Sequence, residues 1–192
     1  MQTLTLENVA YNGQGLPFEL VSNRYPVREE TLAPFTFTFH FGRSYLLACQ
    51  PGRGGWAISW MASGALMPFQ GRILLDDRTV SSEQLRHIGW CVRHDEIRRF
   101  GRWTMRVARQ IQYGLRRSDQ PCYQSEDEVK SKFMLTDARF HRYLRQFGNE
   151  AWSASPAIGI VNGRRIMSYP HVDVHLGFIE DYADLWLPYN IR

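Results

Sequence analysis

The sequence predicts a single α/β domain that is rich in strands at its start and helical in its middle. Residues Thr36–Phe41 alternate aromatic and polar side chains, which is typical of a half-buried strand. The continuous apolar run Tyr45–Cys49 predicts a strand buried on both faces, and Trp56–Leu66 has the pattern of a helix. A chain of 192 residues is long enough to gather these elements around one core.

The other elements follow from shorter patterns. Further strands are predicted at Leu4–Val9, Gly71–Leu75, Ile88–Val92 and Arg165–Tyr169. Further helices are predicted after the capping residues Ser81 and Ser125, and at Thr104–Leu115, Arg139–Gln146 and Trp152–Val161. The alternation of both types along the chain supports the α/β class.

Composition excludes several classes of protein. Apolar residues make up 44% and charged residues 22%, as in soluble globular proteins, and no apolar run approaches a membrane span. The start of the chain lacks a signal-peptide pattern, so a cytoplasmic location is expected. The widely spaced Cys49, Cys91 and Cys122 predict reduced, mostly buried thiols. A net charge of +4 is too mild to predict nucleic-acid binding.

A glycine-rich turn, Gly52–Gly55, separates the apolar run Tyr45–Cys49 from the helix that follows it. This order is the geometry of a phosphate cradle, because backbone N–H groups and a helix N-terminus attract anions. A working cradle adds a lysine beside the β- and γ-phosphates and a Ser or Thr on Mg²⁺. Neither is present here, and the only lysines of the chain are Lys130 and Lys132.

The chain resembles the nucleotide-binding domain of ABC (ATP-binding cassette) ATPases along nearly its whole length. The resembling segments occur in the family's order: Leu4–Tyr11, Phe41–Ala48, Ser63–Asp77, Ile88–Arg93, Trp103–Leu115, Phe133–Glu150, Ala157–Gly159 and Ile166–Pro170. The resemblance implies an α/β P-loop NTPase-like core sheet in one domain over residues 1–192, with a helical subdomain at about 93–150. The family continues beyond the position of Arg192, so a shortened or truncated C-terminal part is expected.

The resemblance also implies positions for a nucleotide site. The nucleotide-binding positions are Tyr11, Pro51, Gly52, Arg53, Gly54, Gly55, Trp56, Ala57, Arg93, Ser168 and Tyr169, and the signature-like positions are Phe147, Gly148, Asn149 and Glu150. Tyr11 matches the family's adenine-stacking aromatic residue. Trp56 and Ala57 stand where the family has its lysine and its magnesium ligand.

The remaining positions of the site depart from the family in the same direction. Arg93 replaces the glutamine of the Q-loop, and Phe147 replaces the serine of the signature motif. Ser168 and Tyr169 replace the metal-supporting Asp and the catalytic Glu of Walker B, and His175 replaces the aspartate of the D-loop. No catalytic or metal-binding residue is therefore predicted, and Mg²⁺ binding is not expected.

ATP binding is a separate question from hydrolysis. The backbone donors of the turn remain, and Arg53 can supply one positive charge. Trp56, however, is large enough to fill the space of a phosphate. ATP therefore remains a possible ligand at this stage.

These observations favour a degenerate ABC-type ATP-binding subunit with weak or no hydrolysis. The resemblance implies a protein partner, either a second ATPase subunit in a homodimer or heterodimer or a membrane transporter subunit, and a place at the cytoplasmic side of the membrane. Two alternatives remain open. One is a divergent ATPase whose site a partner completes, and the other is a scaffold or nucleic-acid-binding module on the same fold.

Two further clusters have more than one interpretation. His171, Asp173 and His175 would share one face of a strand and could bind zinc, but the family resemblance places them in a loop. The arginines at 102, 106 and 109 have helical spacing. They form either a docking face, a set of phosphate contacts or a solvated helix surface.

Overall fold

A computed structural model describes residues 2–13, 30–47, 49, 52–99, 103–117, 122–148 and 150–169. The chain divides into two compact units. The first comprises residues 1–91 together with the chain from Ser168 onward, and the second comprises Val92–Met167. Each unit is described by itself below.

An antiparallel sheet forms the framework of the first unit. Its strands are β1 (Thr3–Asn12), β2 (Thr31–His40), β3 (Gln70–Leu75) and β4 (Arg78–Thr79). Their order in the sheet is β2-β1-β3-β4, and each neighbouring pair is antiparallel. Leu4, Leu6 and Val9 are buried, so β1 contributes the apolar face that the alternating pattern predicted. The core of this unit therefore lies on one side of β1.

Two helices and a short strand complete the elements of the first unit described before residue 92. They are α1 (Gly55–Ala62), α2 (Ser82–Ile88) and β5 (Gly89–Cys91). The predicted cap of α2 is confirmed, because the Ser81 side chain accepts from Gln84 N and the Gln84 side chain accepts from Ser81 N. A fully buried face of Ala57, Trp60 and Met61 fixes α1 in the core.

The second unit is mainly helical. Its elements are β6 (Arg98–Arg99), β7 (Trp103–Thr104), α3 (Val107–Arg117), α4 (Glu126–Lys132), α5 (Asp137–Phe140), a 3-10 turn (Leu144–Gln146) and α6 (Ala151–Val161). Helix α3 packs closely on α6, since a Cβ atom at Gly114 would lie 2.5 Å from the Val161 carbonyl oxygen. Ser125 caps α4 as predicted. A further strand, β8 (Ile166–Ser168), follows α6, and its final residue already belongs to the first unit.

The predicted strand at Tyr45–Cys49 is wrong for its described residues. Tyr45–Leu47 belong to no strand, and Leu46 is 65% exposed. Tyr45 instead packs edge-on against Phe37 and Phe39, and its hydroxyl accepts from His40 N. An apolar run becomes a buried strand only where strands pair with both of its edges, and here aromatic contacts with β2 hold the segment instead.

Two smaller expectations also need correction. The predicted helix Arg139–Gln146 is broken, because α5 ends at Phe140 and only a 3-10 turn follows. Cys91 is buried as expected, but Cys49 and Cys122 are exposed, and none of the three forms a disulfide with another described residue. Among the described helices none is both long and apolar enough to cross a membrane.

We predict that Gly71→Ala strongly destabilises the first unit. Gly71 has φ +85°, and a Cβ atom there would lie 2.3 Å from the carbonyl oxygen of Asn8 on β1. Backbone strain and overlap together should lower the free energy of unfolding by about 2–4 kcal/mol. Urea denaturation followed by tryptophan fluorescence measures the change.

Gly148→Ala is the control for this substitution. No atom lies within 4 Å of a Cβ built at Gly148. Its unfolding midpoint should stay close to that of the unmodified chain. An equal loss of stability in both variants would contradict the assignment of the Gly71 effect to the contact with Asn8.

Candidate functional site

The glycine turn has the backbone shape that its sequence requires. Gly52 and Gly54 have φ +78° and +99°, a region that only glycine enters without strain, and α1 starts directly afterwards at Gly55. A Cβ atom at Gly54 would lie 2.5 Å from Leu32 Cδ1, and one at Gly55 would lie 2.2 Å from Cys49 Sγ. The turn therefore has no room for side chains at either position.

A carboxylate of the chain itself lies at the N-terminus of α1. Glu30 Oε1 accepts hydrogen bonds from Trp56 N at 3.0 Å and from Ala57 N at 3.3 Å. Glu30 is only 1% exposed. Helix N-termini leave their first N–H groups without partners inside the helix, and the N-cap residue Gly54 has no side chain to bind them. Glu30 supplies the missing acceptor from a distant part of the sequence.

The start of β2 holds this carboxylate in place. Thr31 donates from its backbone N to the Gly52 carbonyl oxygen at 3.0 Å, and its hydroxyl donates to the same oxygen at 3.2 Å. Leu32 then packs against Gly54. Three consecutive residues thus hold the turn. Glu30 binds it through its carboxylate, Thr31 through its backbone amide and hydroxyl, and Leu32 through its apolar side chain.

Electrostatics favour this arrangement. The N-terminus of a helix carries about half of a positive elementary charge, and charge-assisted hydrogen bonds to N–H groups are stronger than neutral ones. A negative group within about 4 Å of a second one is repelled by about 4 kcal/mol in partly buried surroundings. Because Glu30 already binds the N–H groups of Trp56 and Ala57, a phosphate at those donors would meet a buried carboxylate. The residues present do not fit a nucleotide phosphate in this conformation.

The side chains of the turn fit a phosphate with Mg²⁺ no better. Ala57 is fully buried and has no hydroxyl to bind a metal ion. Trp56 is half-buried, with its ring centroid 5.5 Å from that of Trp60 in an edge-to-face contact. Arg53 is exposed. Of these three residues, Trp56 and Ala57 are therefore packed into the unit as apolar side chains.

Tyr11 lies in β1, opposite Leu32 in the register of β1 with β2. It is 4% exposed, so a base could stack on its ring only after neighbouring side chains moved. Burial, and secondarily the negative charge of Glu30, raise the pKa of the Tyr11 phenol. The structure thus places Tyr11 and Glu30 in one electrostatic environment.

Ser168 and Tyr169, which the sequence resemblance predicts at the Walker B position, lie at the end of β8 and directly after it. Ser168 ends β8 and is buried, and its Oγ has no hydrogen-bond partner within the described part of the chain. The Tyr169 hydroxyl is buried although part of the residue is accessible. Burial raises the pKa of this phenol well above its ordinary value of 10.0. A neutral phenol and a serine cannot hold a metal ion as the carboxylates of a hydrolytic site do.

Arg93, in the second unit, is bound to α6. Its backbone has the left-handed φ of +71°, and its N–H donates to Ser155 Oγ at 2.8 Å. Its guanidinium lies 4.8 Å from the ring centroid of Trp152. Because Arg93 is exposed, a cation stacked on an aromatic face in this way is stabilised by about 0.5–1 kcal/mol. Arg93 thus contacts α6 through both its backbone and its side chain.

The signature-like positions are also in the second unit. Phe147 is buried, whereas Gly148 is exposed with open space around its Cα. Glu150 forms an ion pair with Arg139. Among the described residues, the structure therefore shows one apolar core residue, one unconstrained glycine and one paired acid at these positions.

Several predicted residues lie outside the described ranges: Pro51, Arg102, Asn149, His171, Asp173 and His175. Arg106 directly precedes α3 and Arg109 lies on it, and both are exposed. No group of three or more His, Cys, Asp or Glu residues suited to a metal ion occurs in the ranges that the structure describes.

Sequence reasoning missed Glu30. Its only local signal is a pair of consecutive glutamates at positions 29 and 30, directly before a strand. The missing cap at Gly54 gives a second signal, because a helix that starts at a glycine needs an acceptor from elsewhere. Sequence alone does not indicate which of the distant acids supplies that acceptor.

We predict that stability falls above pH 10 and that Tyr169 contributes to the loss. Its pKa is raised by burial, so the folded chain holds the phenolic proton more tightly than the unfolded chain does. The contribution is complete below pH 10 and declines by about 1.4 kcal/mol per pH unit above it. Urea midpoints measured from neutral to strongly alkaline pH should fall less steeply for Tyr169→Phe. Identical slopes for both proteins would refute this assignment. The raised pKa of Tyr11 also lowers stability at alkaline pH, and it does so equally in the unmodified chain and in Tyr169→Phe.

No protein-family model and no curated protein sequence matches the chain. Solved structures do. The chain superposes on a bacterial Atm1-family ABC exporter with ATP bound, with a TM-score of 0.54 and 16% identity over 98% of its length. It superposes on CbiO1 of Clostridium perfringens, part of the ABC transporter complex CbiONQ, with a TM-score of 0.55 and 13% identity over 97%. It spans 33% of the exporter chain and 73% of the CbiO1 chain. The chain therefore has a mixed α/β fold like that of ABC transporter components.

Proposed function

We propose that this chain is a degenerate ABC-type subunit that acts through association with a partner and has weak or no ATP hydrolysis. The observation that carries the proposal is the contact of Glu30 with the first turn of α1. A carboxylate there takes the N–H groups of Trp56 and Ala57, the donors that a phosphate would need.

The chemistry of the neighbouring positions supports the same conclusion. Hydrolysis requires a cation beside the γ-phosphate, a metal ligand and a group that orients the attacking water. Trp56, Ala57 and Tyr169 supply none of these groups. Each such group typically contributes orders of magnitude to the rate, so their joint loss removes ordinary turnover. ATP, if presented to this conformation, has to displace Glu30 before it can bind the turn.

The partner that we propose is another ATPase subunit or a membrane transporter subunit, on the cytoplasmic side of the membrane. The two solved neighbours support this class of partner, since one is an ABC exporter and the other is part of an ABC transporter complex. In such a pair the present chain provides a binding surface for its partner, and the competent subunit provides the residues that hydrolyse ATP.

An ATPase assay tests the proposal directly. With Mg²⁺ and saturating ATP, we expect phosphate release by the purified chain to be indistinguishable from background. Steady turnover that survives further purification would contradict the proposal. Turnover that appears only with a competent ABC ATPase, and is lost when that partner's catalytic glutamate is replaced, would identify the partner as the source of the activity.

The double variant Trp56→Lys with Ala57→Ser provides a matched test of the site. It restores the cation and the metal ligand but leaves Glu30, Ser168 and Tyr169 unchanged. We expect its phosphate release to stay within about twofold of the unmodified chain, because positioning of water and metal is still missing. A rise of about a hundredfold would mean that the two replaced residues alone had suppressed hydrolysis.

A further inference from the structure

The capping of α1 differs from that of the other capped helices. In α2 and α4 the N-cap residue is a serine whose side chain accepts from the backbone N of the third helical residue. In α1 the N-cap is Gly54, and the acceptor is Glu30, which lies in another part of the chain. A neutral hydroxyl is sufficient for an ordinary cap. At α1 the acceptor is instead the carboxylate of a residue that is only 1% exposed.

The backbone around this carboxylate presents two N–H groups to it. Glu30 Oε1 lies 3.0 Å and 3.3 Å from two successive backbone nitrogens. The turn before them contains two glycines of positive φ, the backbone conformation in which successive N–H groups form an anion-binding concavity. Gly54 and Gly55 leave no space for side chains, because Leu32 and Cys49 fill it. The carboxylate therefore lies at a point of the turn where an anion is favoured.

The position of the carboxylate is also fixed from its own side. Thr31 is bound to Gly52 through both its backbone N and its hydroxyl. Glu30 therefore has little freedom to leave the helix while β2 stays paired. Its conformational entropy is lost when the chain folds, whereas an external anion would lose entropy on binding.

We propose that Glu30 is an internal anion that replaces the phosphate of an external ligand at the start of α1. It holds the glycine turn in a ligand-bound shape and excludes phosphate from the two N–H groups. The inference rests on the proposed function for the interpretation of the turn as a former phosphate site. Its test concerns anion binding alone and does not depend on hydrolysis.

Chemical rescue by inorganic phosphate tests this proposal. Removal of the carboxylate in Glu30→Ala leaves two buried donors without an acceptor, so we expect the melting temperature in chloride buffer to fall by about 5 °C. Millimolar phosphate at constant ionic strength should restore at least about half of this loss in a saturable manner. The unmodified chain should not respond to phosphate, because its site is occupied.

Glu83→Ala is the matched control. Glu83 is an exposed acid in the first turn of α2, a helix that Ser81 already caps. Its melting temperature should be the same in phosphate and in chloride. A phosphate response of Glu83→Ala equal to that of Glu30→Ala would attribute the rescue to general salt effects and overturn the proposal.

Glu30→Gln keeps the proposal testable if the alanine variant does not fold. The amide has the size of the carboxylate but no charge, so phosphate competes with a much weaker acceptor. Titration calorimetry with phosphate should then detect one site in Glu30→Gln and none in the unmodified chain. A folded Glu30→Gln that binds no phosphate, or a folded Glu30→Ala that phosphate does not stabilise, overturns the inference. These outcomes concern phosphate binding and not ATP hydrolysis. The proposed function is therefore tested separately, by the ATPase assay.

Discussion

One ion–dipole contact organises the first unit of this protein. The Glu30 carboxylate binds the first turn of α1, and through Thr31 and Leu32 the start of β2 is bound to the same glycine turn. The edge strand of the sheet and the helix therefore depend on each other. Without an acceptor, the buried N–H groups of Trp56 and Ala57 would destabilise the helix start by about 1–3 kcal/mol each. The glycine turn, the start of β2 and the apolar face of α1 can pack together only when this contact is present.

The same principle operates in the second unit, although the chemistry differs. Arg93 has an unfavourable left-handed backbone, which Ser155 stabilises by accepting its N–H. Its charge is placed on the face of Trp152. Both the backbone and the side chain of this residue, which the sequence predicts at a nucleotide site, thus contact α6. In both units, positions at which the sequence predicts a nucleotide site are thus engaged by groups of the chain itself.

Local signals in the sequence predicted much of the secondary structure. Ser81 and Ser125 cap the helices that they precede, because the capping bonds join residues only three apart. The resemblance to ABC ATPases also predicted the fold class, which the structural likeness supports. Long-range requirements were not predictable in this way. Tyr45–Leu47 have the composition of a central strand, but composition cannot show whether neighbouring strands are available to pair with them.

The candidate site divides along the same line. Trp56 and Ala57 could be recognised as unsuited to phosphate and metal from their side chains alone. The role of Glu30 could not, since it depends on two segments more than twenty residues apart meeting at one helix end. The burial of Tyr169 and the stacking of Arg93 on Trp152 are likewise properties of packing, and neither residue type indicates them by itself.

Because the acceptor Glu30 is a residue of the polypeptide and not a bound ligand, its concentration at α1 does not depend on conditions in the cell. A domain completed by a diffusible nucleotide gains stability as that nucleotide accumulates, through a term that grows with the logarithm of its concentration. A carboxylate that is part of the polypeptide is never diluted, and its local concentration is set once, when the chain folds. Under the proposed function, the start of α1 is therefore insensitive to the supply of ATP. A subunit of the kind proposed above would present the same surface to its partner in starved and in well-fed cells.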